Sequence, residues 1–254
     1  MVQELKGKVV LVTGGGRGIG RETCILLASL GADVAICSRS VQECEEVSAY
    51  IQKTYGTNTV VVTGDVSKEK DVDTIIDRVN NTLGPVSILI NNAGVMSLKP
   101  FVETSIEEWD WVHDVNVKGP FLLSKKVVPD MMERTEGVIL NISSIWGTKG
   151  GPNRSAYISS KHAVIGLSKA LGEELKPYGI RVNAICPGPV NTKMTDDLGP
   201  DINKEGWLEP IDLANIIVDF CLPKMKAVTA SSIEAFGAGQ PVSTKKMSGG
   251  KENE

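Results

Sequence analysis

The chain has 254 residues, 41% of them hydrophobic and 23% charged, with a formal net charge of −4. This length can bury a sizeable core, while the acidic balance and an aromatic content of only 5% exclude the basic, base-stacking surface of a nucleic-acid binder. No run of about 18 apolar residues occurs, which excludes a membrane-spanning helix. The five cysteines are scattered without a C-x-x-C pair, so they read as buried, reduced thiols of a cytoplasmic protein, with no metal site expected.

After MVQELKG, which has no apolar leader-like stretch, KVVLVT predicts a first strand and RETCILLASLGA the helix behind it. DVAICS with VQECEEVSAYIQKTYG repeats the unit, as do NTVVVTG with KDVDTIIDRVNNTLG and VSILIN with a long helical stretch from Ser105 to about Glu133. GVILNIS then precedes AYISSKHAVIGLSKALGEELKPYG, IRVNAIC precedes DLANIIVDFCL, and SSIEAFG supplies a last strand. The strands are near-continuous apolar runs, as expected where both faces of a sheet are covered. Such alternation predicts an α/β fold: a Rossmann-type, doubly wound parallel sheet of about seven strands with helices on both faces. No Pro/Gly-rich linker interrupts it, so residues 1–240 are read as a single Rossmann-type domain and the polar stretch 241–254 as a disordered tail. Ligands of such sheets bind beyond the carboxyl ends of the strands, which is where functional residues should gather.

At the end of the first strand stands TGGGRGIG, five glycines in the seven residues from Gly14 to Gly20. Glycines there permit positive φ and close backbone approach, and the N-terminus of the next helix offers free N–H groups to a pyrophosphate. At the tip of the second strand stand Ser38 and Arg39, not the carboxylate that would bind the ribose 2′-hydroxyl of NAD; Asp33 lies too early in the strand. A guanidinium pairs with a 2′-phosphate, and Arg17 in the glycine loop supplies a second cation. NADP(H) is therefore the expected cofactor, in preference to NAD(H).

Tyr157 and Lys161 stand four positions apart in SAYISSKHAV, one helical turn, and so share a face. With this pair and the spacing Thr13-Gly14-x-x-x-Gly18-Ile19-Gly20, the sequence resembles the single-domain short-chain dehydrogenases/reductases, across roughly residues 5 to 240. The resemblance implies a site. Asp65 and Val66 stand for the pair that contacts adenine, and Asn92, Ala93 and Gly94 of NNAG for the segment on the nicotinamide side. Pro187, Gly188, Val190 and Thr192 of CPGPVNT match the turn that touches the nicotinamide carboxamide. Asn116 stands where the family has its active-site asparagine, which bends its helix and holds a water linked to the lysine. Of two adjacent serines, Ser144 precedes the tyrosine by thirteen positions and heads an S-x-x-G pattern; Ser143 is read as structural.

The implied reaction is hydride transfer between nicotinamide and a small-molecule carbonyl or secondary alcohol. Tyr157 moves the proton, Lys161 lowers its pKa and grips the nicotinamide ribose, and Ser144 holds the substrate oxygen. Tyr157 and Lys161 thus count among both the catalytic and the cofactor residues. Met194, Trp207 and Trp146 are candidate walls of the substrate pocket, Trp146 equally a packing residue; His113 and His162 are not expected to act. A homotetramer is expected from the apolar surface of the helices starting at Ser105 and Ser155, although EAFGAGQ departs from the family's usual DGG-like ending. A ketoacyl-type reductase, a sugar or polyol dehydrogenase and an NAD(P)-binding regulator without turnover remain open alternatives.

Overall fold

In a computed structural model the chain is described over residues 3–196 and 203–237. Seven strands form one sheet: β1 (Val9–Thr13), β2 (Asp33–Ser38), β3 (Thr59–Thr63), β4 (Ile88–Asn91), β5 (Gly137–Ile142), β6 (Ile180–Pro187) and β7 (Ser232–Ala235). Their order is β3-β2-β1-β4-β5-β6-β7, and every neighbouring pair is parallel. The expected tail, 241–254, lies outside the described residues.

Alternation along each strand divides its apolar residues between two cores. Val10, Val12, Val34 and Ile36 face the helices α1 (Gly18–Ser29), α2 (Val41–Tyr55) and α8 (Pro210–Cys221). Val9, Leu11, Ala35 and Cys37 face the other layer, with α3 (Glu69–Thr82) and α5 (Gly119–Arg134). The remaining helices are α4 (Ile106–His113), α6 (Ser155–Leu175) and the short α7 (Lys193–Asp196). Because both faces are covered, strands β1, β4 and β5 are buried at every position. All five cysteines are buried and free.

The chain lays down β1, β2 and β3 toward one edge, then returns to place β4 on the other side of β1. That reversal opens a crevice at the carboxyl ends of β1 and β4. Its two lips are stitched together: the Thr13 hydroxyl accepts the N–H groups of Asn92 and Ala93, each at 3.0 Å, and the Asn92 amide donates to the Thr13 carbonyl at 2.9 Å.

The long helix expected from Ser105 to Glu133 is interrupted. Residues Asp114–Lys118 form a π-turn between α4 and α5, with the Gly119 N–H reaching back to the Asp114 carbonyl. Ser105 starts the run by capping the Glu108 N–H with its hydroxyl.

Candidate active site

A cavity of about 570 Å³ opens over the carboxyl ends of the strands. Of the sequence-predicted residues, Gly14, Arg17, Gly18, Ile19, Ser38, Arg39, Asp65, Val66, Asn92, Ala93 and Gly94 line it. So do Ser144, Tyr157, Lys161, Pro187, Gly188, Val190 and Thr192, and the candidate walls Trp146, Met194 and Trp207. Gly20 and Asn116 do not. Gly20 lies inside α1, where a Cβ would run into the Gly14 carbonyl; its lack of a side chain lets the helix close on the loop. Asn116 lies behind Gly94 and Val95.

The glycine loop fits a dinucleotide. Gly14 and Gly18 have φ of +66° and +54°, the left-handed region that glycine enters freely. A Cβ at Gly14 would stand 2.8 Å from the Asn92 amide nitrogen, so no side chain fits between loop and crevice. The loop runs directly into the N-terminus of α1, whose free N–H groups and dipole favour an anion.

At the adenosine end, Arg39 follows the tip of β2 and Asp65 the tip of β3. Burial works to raise the Asp65 pKa, but the Ser67 hydroxyl and N–H, Lys68 and Arg39 outweigh it and hold the carboxyl below its ordinary range. Arg17 is half exposed and lies 3.3 Å from Glu43, so the second cation already has a partner. Glu43, on α2, is a cavity residue that the sequence reading missed. Four residues C-terminal to Arg39, a glutamate in the first turn of a helix looks like ordinary dipole compensation.

At the opposite end, Ser144 follows β5, and Tyr157 and Lys161 lie one turn apart in α6. The Ser144 hydroxyl accepts the Trp146 N–H at 3.2 Å, which fixes it at the start of a single 3₁₀ turn. Ser143 points elsewhere and donates to the Lys161 carbonyl at 2.8 Å. Both serines line the cavity, but the Ser143 hydroxyl is tied into the framework beneath it.

Tyr157 and Lys161 are both buried, 7% and 5% exposed. The Lys161 ammonium lies 5.6 Å from the Tyr157 ring centroid and donates to the Ile142 carbonyl at 2.9 Å. Burial pushes the lysine down to about 8, against a smaller opposing effect of Cys186. The expected depression of the phenol by Lys161 is absent. Burial raises the Tyr157 pKa, and the groups pulling it back are the Ser144 hydroxyl and the Arg154 guanidinium.

Asn116 is tied to the segment after β4 and to α6. Its side-chain oxygen accepts the Val95 N–H at 2.8 Å, and its NH₂ donates to the Val95 carbonyl at 2.9 Å and the Ser160 hydroxyl at 3.0 Å. The amide thus pairs with one peptide unit of the segment after β4. The residue itself is buried within the π-turn.

His113 stacks on Trp109 and meets the Ser159 hydroxyl at 3.1 Å, while His162 is exposed and meets the Ile158 carbonyl through Nδ1. Neither lines the cavity. Among the described residues no group of three or more His, Cys, Asp or Glu is placed to hold a metal, and no helix is long and apolar enough to cross a membrane.

Residues 8–203 match the family model of the short chain dehydrogenases. The chain belongs to that family. This dehydrogenase is 43% identical over 188 residues to an uncharacterized oxidoreductase of Thermotoga maritima, covering 74% of each chain. It is 35% identical over 239 residues to a 3-oxoacyl-(acyl-carrier-protein) reductase of Staphylococcus epidermidis, covering 91% of this chain and 98% of the relative. Among solved structures, levodione reductase superposes with a TM-score of 0.88 at 29% identity, covering 92% of this chain and 97% of its own. Acetoin dehydrogenase from Salmonella typhimurium gives 0.82 at 29% identity, with 89% and 93% covered. The chain is thus an oxidoreductase acting on CH–OH or C=O groups, in a family whose cofactor is NAD(P).

Proposed function

We propose that this dehydrogenase transfers a hydride between NADP(H) and a carbonyl or secondary alcohol carbon, with Tyr157 as the proton donor and acceptor. The observation that carries the reading is the convergence of Ser144 and Tyr157 on one end of a cavity whose other end is a glycine cradle. The nicotinamide supplies or takes up the hydride when bound. Ser144 donates its hydroxyl proton to the substrate oxygen and holds it against the phenol. Tyr157, kept protonated by burial, donates its proton to the oxygen as a carbonyl is reduced, and takes it back in the reverse direction. Lys161 holds the ribose and braces the carboxyl end of β5 through Ile142.

The preference for NADP(H) rests on Arg39 at the β2 tip, with Arg17 already shared with Glu43. A homotetramer is supported by exposed apolar side chains around the start of α4 and on α5: Phe101 at 76%, Val102 at 89%, Ile106 at 70%, and Trp111 and Phe121 less so. The free, buried thiols support a cytoplasmic setting. Tyr157→Phe tests the core of the reading. It is expected to abolish NADPH oxidation by ketones while NADPH binding, read by fluorescence, stays within about twofold; retained turnover would remove Tyr157 from its role.

A further inference from the structure

Arg154 is the N-cap of α6, one turn before Tyr157, and it lines the cavity. Its guanidinium lies 4.6 Å from the centroid of the Trp146 ring. The indole is itself pinned from the loop that precedes α6: a Cβ on Gly151 would stand 2.6 Å from the ring. Stacking satisfies the face of a guanidinium but none of its N–H groups. Arg154 Nε is buried with no hydrogen-bond partner, and no ion pair among the described residues includes this side chain. The side chain as a whole is half-buried, but a buried donor without an acceptor is costly.

The cavity's carboxylates are at the wrong end to neutralise it. Among the described lining residues these are Glu43 and Asp65, on the β2–β3 side; Glu43 faces Arg17, and Asp65 is held by Ser67. Arg154 lies across the crevice beside Ser144 and Tyr157, where the substrate oxygen is to be held. The guanidinium, whose fork of N–H groups a carboxylate matches in geometry, is therefore stacked on a held indole with its buried Nε unpaired, three residues before the proton donor.

We infer that Arg154 is the substrate-anion receptor of this site, and that the substrate is an oxo acid or hydroxy acid whose carboxylate pairs with its guanidinium while its carbonyl or alcohol oxygen meets Ser144 and Tyr157. The inference rests on the reaction proposed above. Trp146 is then the residue that aims the receptor.

The test compares 2-, 3- and 4-oxopentanoate with their methyl esters, followed at the NADPH absorbance in the full-length protein. For at least one acid, kcat/KM is expected to exceed that of its ester by about tenfold or more, the scale of a charge-assisted hydrogen bond. Arg154→Gln should reduce that ratio to about one, mainly by raising KM for the acid, and Arg154→Lys should restore it only in part. Acids and esters that perform alike, or a ratio that survives in Arg154→Gln, would overturn the inference. If no oxo compound turns over, the reductase reading fails instead. Calorimetric titration of 4-oxopentanoate into the wild type and Arg154→Gln then decides Arg154 alone: binding that the variant loses supports it, and no binding, or binding that the variant keeps, refutes it.

Discussion

Lys161→Met provides a test in which stability and activity move in opposite directions. The ammonium is buried, and its pKa falls from 10.5 to about 8, chiefly through desolvation. A lysine depressed in the folded state costs its full penalty below the folded pKa, and that penalty is relieved as pH rises from about 8 to 10.5. The shift corresponds to about 3 kcal/mol. Methionine removes the charge but leaves the Ile142 carbonyl without its donor, a loss of about 1–2 kcal/mol. The cofactor-free variant should therefore be about 1–2 kcal/mol more stable than the wild type at pH 7, while inactive. Near pH 10.5 the order should reverse, because the wild type has by then recovered its penalty. Urea unfolding of both proteins at matched concentration across this range measures the crossing. A variant less stable at pH 7 by an amount independent of pH would refute the desolvation argument.

Arg39→Asp should shift the ratio of kcat/KM for NADPH over NADH downward by about tenfold or more, since it replaces an attractive charge at the β2 tip with a repulsive one; an unchanged ratio would remove Arg39 from cofactor selection. Raised by burial, the Tyr157 phenol is protonated at neutral pH, so ketone reduction should be near its maximum at pH 7 and alcohol oxidation should climb as pH approaches the phenol pKa. Parallel pH profiles for the two directions would contradict this. Gly20→Ala drives a methyl group into the Gly14 carbonyl and should cost about 1–3 kcal/mol of stability together with cofactor affinity, read by thermal unfolding with and without NADPH.

The sheet was readable because its strands are continuous apolar runs bounded by glycine, and both faces of KVVLVT and GVILNIS had to be covered. The glycine cradle and the Tyr157–Lys161 pair were readable because each depends on spacing within one element. What spacing cannot express is contact across elements. Lys161 meets the Ile142 carbonyl, and Asn116 meets Val95, only because α6 and the π-turn pack beside the ends of β5 and β4. Arg154 gave no local signal, since an arginine before a helix is ordinary until an indole eight residues earlier is folded onto it. Gly20 shows the same limit from the other side: its place in the motif suggests ligand contact, and only the fold shows that it lets α1 close on the loop.

The π-turn at Asp114–Lys118 also sets a phase. Each residue advances a helix by about 100°, so the extra residue in the turn rotates everything downstream relative to α4. That rotation aims Leu122, Leu123, Val127 and Met131 of α5 into the core while Asn116 reaches Val95. A single deletion in this stretch would restore a regular helix and, in the same stroke, turn the α5 apolar stripe away from the sheet. One residue of length thus couples the registration of the site to the burial of a whole helix, so that neither can drift without the other.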